Sequence, residues 1–158
     1  MARPPPKQMS TRDRALSLLS RREQSQRELK RKLVHKGVAK EEADLTIESL
    51  AGAHLQSNDR FAGMMVRRRI ADGFGPMRIS AELASHGIAR DVIRSALEEE
   101  SPDWAAAADE HYRRKFRNIA QDSKERMKRV SWLAQRGFPI DIAKRVAAIA
   151  ETENEAQD

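Results

Sequence analysis

Apolar residues return along this chain at three- and four-residue steps, the period of helices buried along one face. The first fifty residues carry Ala15, Leu16 and Leu19, then Leu29 and Leu33, then Ala43, Ile47 and Leu50. The next fifty carry Phe61, Ala62, Met65, Val66 and Ile70, then Ile79 and Leu83, then Val92, Ile93, Ala96 and Leu97. A third set runs Trp104, Ala105, Ala108, Tyr112 and Phe116, then Met127, Val130 and Leu133, then Ile142, Ala143, Val146 and Ile149. The pattern predicts three helices in each stretch.

Helix ends are written between these runs. Ser10 with Asp13 and Ser25 with Glu28 read as capping boxes, Ser57-Asn-Asp as an N-cap, and Asp122 with Glu125 as another. Pro76, Pro102 and Pro139 suit first helical positions, where a fixed φ helps and a missing N–H costs nothing. Leu33-x-x-x-Gly37-Val38, Leu83-x-x-x-Gly87-Ile88 and Leu133-x-x-x-Gly137-Phe138 read as glycine-closed helix ends. Their glycines stand 50 residues apart, and Leu16, Val66 and Phe116 keep the same register. The chain therefore reads as three copies of one unit, stacked because no copy buries its apolar face alone.

The fold class expected is all-α: three tandem three-helix units in an elongated, curved array. Residues 1–9 are expected to be a disordered tail and 10–55, 56–100 and 101–150 the three repeats. An acidic, frayed tail is expected over 151–158. Gly37, Gly87, Gly137 and Pro76 are the structural caps.

Composition agrees with a thin helical protein: 39% of the 158 residues are apolar, 34% are charged, and Trp, Tyr and Phe together number seven. The absence of cysteine excludes disulfides and thiolate metal sites and leaves a reducing compartment unopposed. No apolar run reaches the length of a membrane span, and Met1-Ala-Arg-Pro-Pro-Pro has no signal-peptide core. A cytoplasmic protein without membrane contact is expected.

The chemistry of an active site is hard to find. His35, His54, His86 and His111 are dispersed, and Gly73-Phe-Gly75 is followed by Pro76 where a phosphate-facing N–H is wanted. There is neither a P-loop nor a Gly-x-Ser-x-Gly elbow, and the carboxylate runs Glu41-Glu42 and Glu98-Glu99-Glu100 lie on helix surfaces. No catalytic residue, cofactor or metal is expected, and an enzyme is not.

Charge carries the remaining signal. Residues 1–50 hold 12 basic and 7 acidic groups, 51–100 hold 7 of each, and 101–150 hold 11 and 6. Arg67, Arg68 and Arg69 follow one another, as do Arg113, Arg114, Lys115 and Arg117, with Lys124 soon after. Successive helical residues turn by about 100°, so three arginines cannot share one face, and one of 67–69 runs along the core. Two readings stand side by side: guanidinium forks for phosphate or carboxylate, and a solvated surface. Arg78 has a local partner in Glu82 at i, i+4.

The motifs resemble a family. Asn58-Asp-Arg-Phe-Ala62, Arg67-Arg-Arg69 and Gly73-x-Gly75-Pro76-x-Arg78-Ile79-x-x-Glu82-Leu83-x-x-x-Gly87-Ile88 are similar to the central motif of the RecX family, bacterial regulators of the RecA recombinase. Arg22-x-x-Ser25-x-x-Glu28-Leu29-x-x-Lys32-Leu33-x-x-Lys36-Gly37 resembles its first repeat, and Leu133-x-x-Arg136-Gly137-Phe138 its third. The resemblance implies a monomeric negative regulator that binds the RecA–DNA filament, in its helical groove. It implies inhibition of ATP hydrolysis, strand exchange and co-protease activity; the basic ends of the chain add an expectation of weak, sequence-independent contact with single- and double-stranded DNA. Arg67, Arg68, Arg69, Arg78, Arg113, Arg114, Arg117 and Lys124 are the contact residues expected on that reading. The rivals are a nucleic-acid-binding helical protein that needs no recombinase and a scaffold for acidic partners.

Overall fold

The computed structural model describes residues 7–100 and 102–156. Among them the chain forms nine α-helices and no strand. In order these are α1 (Thr11–Leu19), α2 (Gln26–His35), α3 (Lys40–Gly52), α4 (Asn58–Ala71), α5 (Pro76–Ser85), α6 (Arg90–Glu100), α7 (Trp104–Lys115), α8 (Ser123–Gln135) and α9 (Ile140–Glu155). They form three three-helix domains in tandem. By spatial contact they group into two compact units, one running to Phe61 and including His86–Ile88, the other holding 62–85 and everything from Ala89.

In the first unit α1, α2 and α3 pack on one another around Ala15, Leu18, Leu29, Leu33, Val38, Ala43, Ile47 and Leu50. Ser10 and Ser25 cap α1 and α2, each hydroxyl accepting from the amide three residues on, Asp13 and Glu28. Polar residues are buried here as well. Gln24, 2% exposed, donates to the Leu18 carbonyl at 2.8 Å, and Gln56 donates to the Gln24 carbonyl at 3.1 Å. The first amide adds an acceptor contact at the C-terminal end of α1, and the second reaches the loop between α1 and α2.

In the second unit α9 lies against α7 and α8 over a core of Ala108, Tyr112, Val130, Leu133, Phe138, Ala143, Val146, Ala147 and Ala150. The sequence pattern misplaces several positions there. Phe116, placed in the apolar run of α7, lies just outside it. It is the C-cap, in extended conformation, and so leaves Arg117 in the following loop. Pro102 is not a first helical residue: Asp103 is the N-cap and accepts from the Ala106 amide at 3.0 Å. Ser101 and residues 1–6 and 157–158 lie outside the described residues. Met127 and Ile149, expected inward, are 54% and 45% exposed, whereas Arg129 is buried. The acidic end opens inside a helix. Helix α9 continues through it to Glu155, and the Glu151 side chain is buried and paired with Arg126.

Four helix ends close with the same pair of backbone bonds. Val38 N–H reaches Leu33 O and Gly37 N–H reaches Val34 O at the end of α2; Phe138 with Leu133 and Gly137 with Ala134 repeat this at α8. Phe74 with Arg69 and Gly73 with Ile70 do so at α4, and Leu55 with Leu50 and His54 with Ala51 at α3. This arrangement needs a left-handed residue, and φ is +92° at Gly37, +85° at Gly73, +96° at Gly137 and +57° at His54. Gly87, after α5, has φ +74°.

Each unit contains a meeting of one repeat's middle helix with the closing end of the next. In the first, Ser25 at the start of α2 lies 3.4 Å from His86 Nδ1, and a Cβ on Gly87 would touch the Arg27 guanidinium at 3.0 Å. In the second the same meeting is made by backbone. Gly75 N–H donates to Arg136 O at 2.8 Å and Met77 N–H to Gly137 O at 3.0 Å, so a free first-turn donor of α5 is satisfied. Pro76 brings no N–H needing a partner. A Cβ on Gly75 would stand 2.5 Å from the Gly137 oxygen, and one on Gly137 would stand 2.5 Å from the Arg78 nitrogen. The chains are too close there for any side chain.

Candidate functional site

The arginines of α4 divide by environment. Arg67 and Arg68 are exposed; Arg67 pairs with Glu100 at 2.9 Å and Arg68 has no ion pair among the described residues. Arg69 is the one that runs along the core. Its fork meets both Glu82 oxygens, at 2.8 and 2.6 Å, and its remaining nitrogen meets Asp72 at 3.0 Å. The bonds to Glu82 hold its pKa above the ordinary arginine value, against the opposing effect of burial. Glu82 is thus engaged by Arg69, and Arg78 instead lays its guanidinium over the Phe74 ring, 4.2 Å from the centroid.

On α7, Arg113 is held from two sides, by Asp109 at 2.9 Å and Glu153 at 2.6 Å, and these bonds raise its pKa. Arg114 meets Glu110 at 2.7 Å, but both side chains are about two-thirds exposed, at 66% and 64%. A pair so placed is worth about 0.2–1 kcal/mol and opens readily. Arg117, in the loop after α7, and Lys124, in the first turn of α8, are exposed without an ion pair among the described residues. The eight expected contact residues therefore include three unengaged cations, two exposed ion pairs, one stacked guanidinium and two clamped ones.

Between them lies an arrangement of aromatic and guanidinium groups. Arg136 sits 4.5 Å from the Phe74 centroid and 5.1 Å from that of Trp132. Trp132 meets Phe116 edge-on at 5.3 Å, and Phe116 carries Arg129 over its face at 4.7 Å. With Arg78 this makes a ladder of rings and guanidinium planes through the second unit, each contact a cation–π or aromatic pair. Arg136 also donates to the carbonyls of Gly73, at 2.8 Å, and Asp72, at 2.6 Å, closing the end of α4. Burial and then the charge of Arg78 lower its pKa, Asp72 offsetting part of this. None of these hydrogen bonds is to a carboxylate. Arg129 is 3% exposed and fully directed inward, to Asn118 O and Glu125, both at 2.6 Å.

Phe74, Trp132 and Arg136 were not among the expected contact residues. A partial signal was available in Phe74 and Arg78, and in Trp132 and Arg136, each four residues apart. No group of acidic or histidine side chains among the described residues could hold a metal, and no described helix is long and apolar enough to cross a membrane.

Family models for the first, second and third three-helix domains of RecX match residues 12–50, 57–97 and 103–147. The chain is 40% identical over 139 residues to the Regulatory protein RecX of Chromohalobacter salexigens, covering 88% of this chain and 91% of that one. It is 38% identical over 141 residues to that of Stenotrophomonas maltophilia, covering 89% and 86%. Among solved structures, a regulatory protein RecX matches with TM-score 0.75 at 24% identity, over 86% of this chain and 69% of that one. RecX from Lactobacillus salivarius matches with TM-score 0.70 at 22% identity, over 86% and 91%.

Proposed function

The chain belongs to the RecX family of regulatory proteins, and on that premise we propose that it is a negative regulator of the RecA recombinase. It binds the filament that the recombinase forms on DNA, in the helical groove, and inhibits ATP hydrolysis, strand exchange and co-protease activity. Recombination and the SOS response are restrained as a result. The protein acts by binding rather than catalysis, as a cytoplasmic monomer, and touches DNA weakly and without regard to sequence.

The observation that carries this reading is the match of all three tandem domains in order. The basic surface supports it, since a filament on DNA presents both phosphates and carboxylates to Arg68, Arg117 and Lys124. The test is recombinase ATP hydrolysis on single-stranded DNA with this protein titrated in. Hydrolysis should fall and stay low when more DNA is added. If excess DNA restores it, the protein is only sequestering nucleic acid, and the recombinase is not its target.

A further inference from the structure

His111, Arg114, Lys115, Trp132 and Arg136 line an open hollow of about 230 Å³ in the second unit. This is below the roughly 300–1,000 Å³ of sites that enclose a drug-sized ligand, so it suits one planar ring entering from solvent. Its lining combines an indole with three cations and a histidine, and contains no carboxylate. Lys115 is exposed and has no ion pair among the described residues; Arg114 has only its solvent-exposed partner Glu110. Arg136 is held in place by two backbone carbonyls and sets its guanidinium 5.1 Å from the Trp132 centroid. One contact of Trp132 is already a guanidinium and another a ring edge, while part of the indole remains exposed to the hollow.

We infer that this hollow takes an unpaired nucleotide of single-stranded nucleic acid, its base against Trp132 and Arg136 and its flanking phosphates on Arg114 and Lys115. Cations alone would serve a protein carboxylate equally well. The indole decides between the two, because every base has a face to stack and a carboxylate has none. Duplex DNA keeps its bases in the stack and could offer only phosphates. The inference rests only on the DNA-contact half of the proposed function and does not involve the recombinase.

The chain has two tryptophans, Trp104 and Trp132, so Trp104→Phe makes Trp132 the sole indole reporter. A short oligothymidylate added to that full-length variant should quench Trp132 emission to saturation. An abasic oligonucleotide of equal length should bind about ten-fold more weakly, as expected for losing one stacked base. Arg114→Gln with Lys115→Gln should flatten the salt dependence by about 1.4 in the log–log slope, near 0.7 per phosphate on a single strand. Trp132→Phe should retain most of the affinity and Trp132→Leu lose about ten-fold. Equal affinity for the abasic chain, binding without any change in Trp132 emission, or no binding would overturn the site. So would quenching by poly-glutamate as strong as that by the oligonucleotide. Since no recombinase is present, any of these results leaves the ATP-hydrolysis test of the proposed function untouched, and the oligonucleotide comparison stands even if a Trp132 variant fails to fold.

Discussion

His54 occupies the position that glycine fills at the ends of α2, α4 and α8, and holds a φ of +57° there. A side chain in that conformation costs roughly 1–2 kcal/mol. His54→Gly should therefore stabilise the protein by about 1 kcal/mol, seen as a higher urea midpoint with an unchanged slope. The cap was legible, because Leu50-x-x-x-His54-Leu55 has the spacing of the three glycine endings; only the residue type hid it. The glycines themselves are not equivalent. Nothing lies within 4 Å of a Cβ on Gly37, whereas one on Gly137 meets the Arg78 backbone nitrogen at 2.5 Å. Gly37→Ala should cost about 1–2 kcal/mol, the conformational strain alone. Gly137→Ala should cost clearly more, since α5 must move away, and chemical unfolding of the two variants side by side measures the difference.

At the scale of the helix, α2 carries a charged cluster with a definite pH signature. Burial would raise the pKa of Glu28, but hydrogen bonds from Arg22 and Lys32 prevail and lower it beneath its ordinary 4.5. A carboxylate with a depressed pKa stabilises the folded state above its unfolded pKa and loses that contribution as pH falls through the folded one. Glu28→Gln should thus cost about 2 kcal/mol at neutral pH. The gap between parent and variant should close as the pH drops below about 4.5, followed by urea unfolding across that range. Glu28 was legible as half of a capping box, but its burial was not. The same blindness affects α8. Its apolar letters point inward at Met127, yet Arg129 is the buried residue, bonded through two of its nitrogens to Asn118 O and Glu125 and stacked on the Phe116 face, with its Nε left without a hydrogen-bond partner among the described residues. A reading by hydrophobicity has no way to see such partners. Nor could it see that Arg126 pairs with a buried Glu151 inside α9.

For the molecule as a whole, the three-repeat order was legible because the cap spacing is local and recurs at a fixed interval. The ring and guanidinium ladder was not, since it joins the end of α4, the start of α5, the end of α7 and the C-terminal half of α8, which only tertiary contact brings together. The structure also selects the variant that tests the proposed interface. Arg113 is clamped by Asp109 and Glu153, so its reversal would disturb the fold as well as any partner. Reversing Arg114, Arg117 and Lys124 to Glu is the cleaner variant. Losing one exposed pair costs about 0.2–1 kcal/mol, whereas each charge-assisted bond lost to a partner costs about 1.5–3 kcal/mol. The melting temperature should stay nearly constant while inhibition of recombinase ATP hydrolysis is abolished. A folded variant that inhibits as well as the parent places the interface elsewhere.

The two inter-repeat meetings bear on how such a chain could be rebuilt. One uses Ser25, Arg27 and His86 side chains; the other uses the backbones of Gly75, Met77 and Gly137 with Arg78 pressed against them. An averaged repeat, strung together in identical copies, would inherit half of each and complete neither. Placing Ser at position 75 would drive its Cβ into the Gly137 carbonyl, and placing His at 136 would remove the fork that closes α4. A designer extending the array would do better to transplant residues 73–78 together with 136–138 as a matched seam, leaving the helices between to vary.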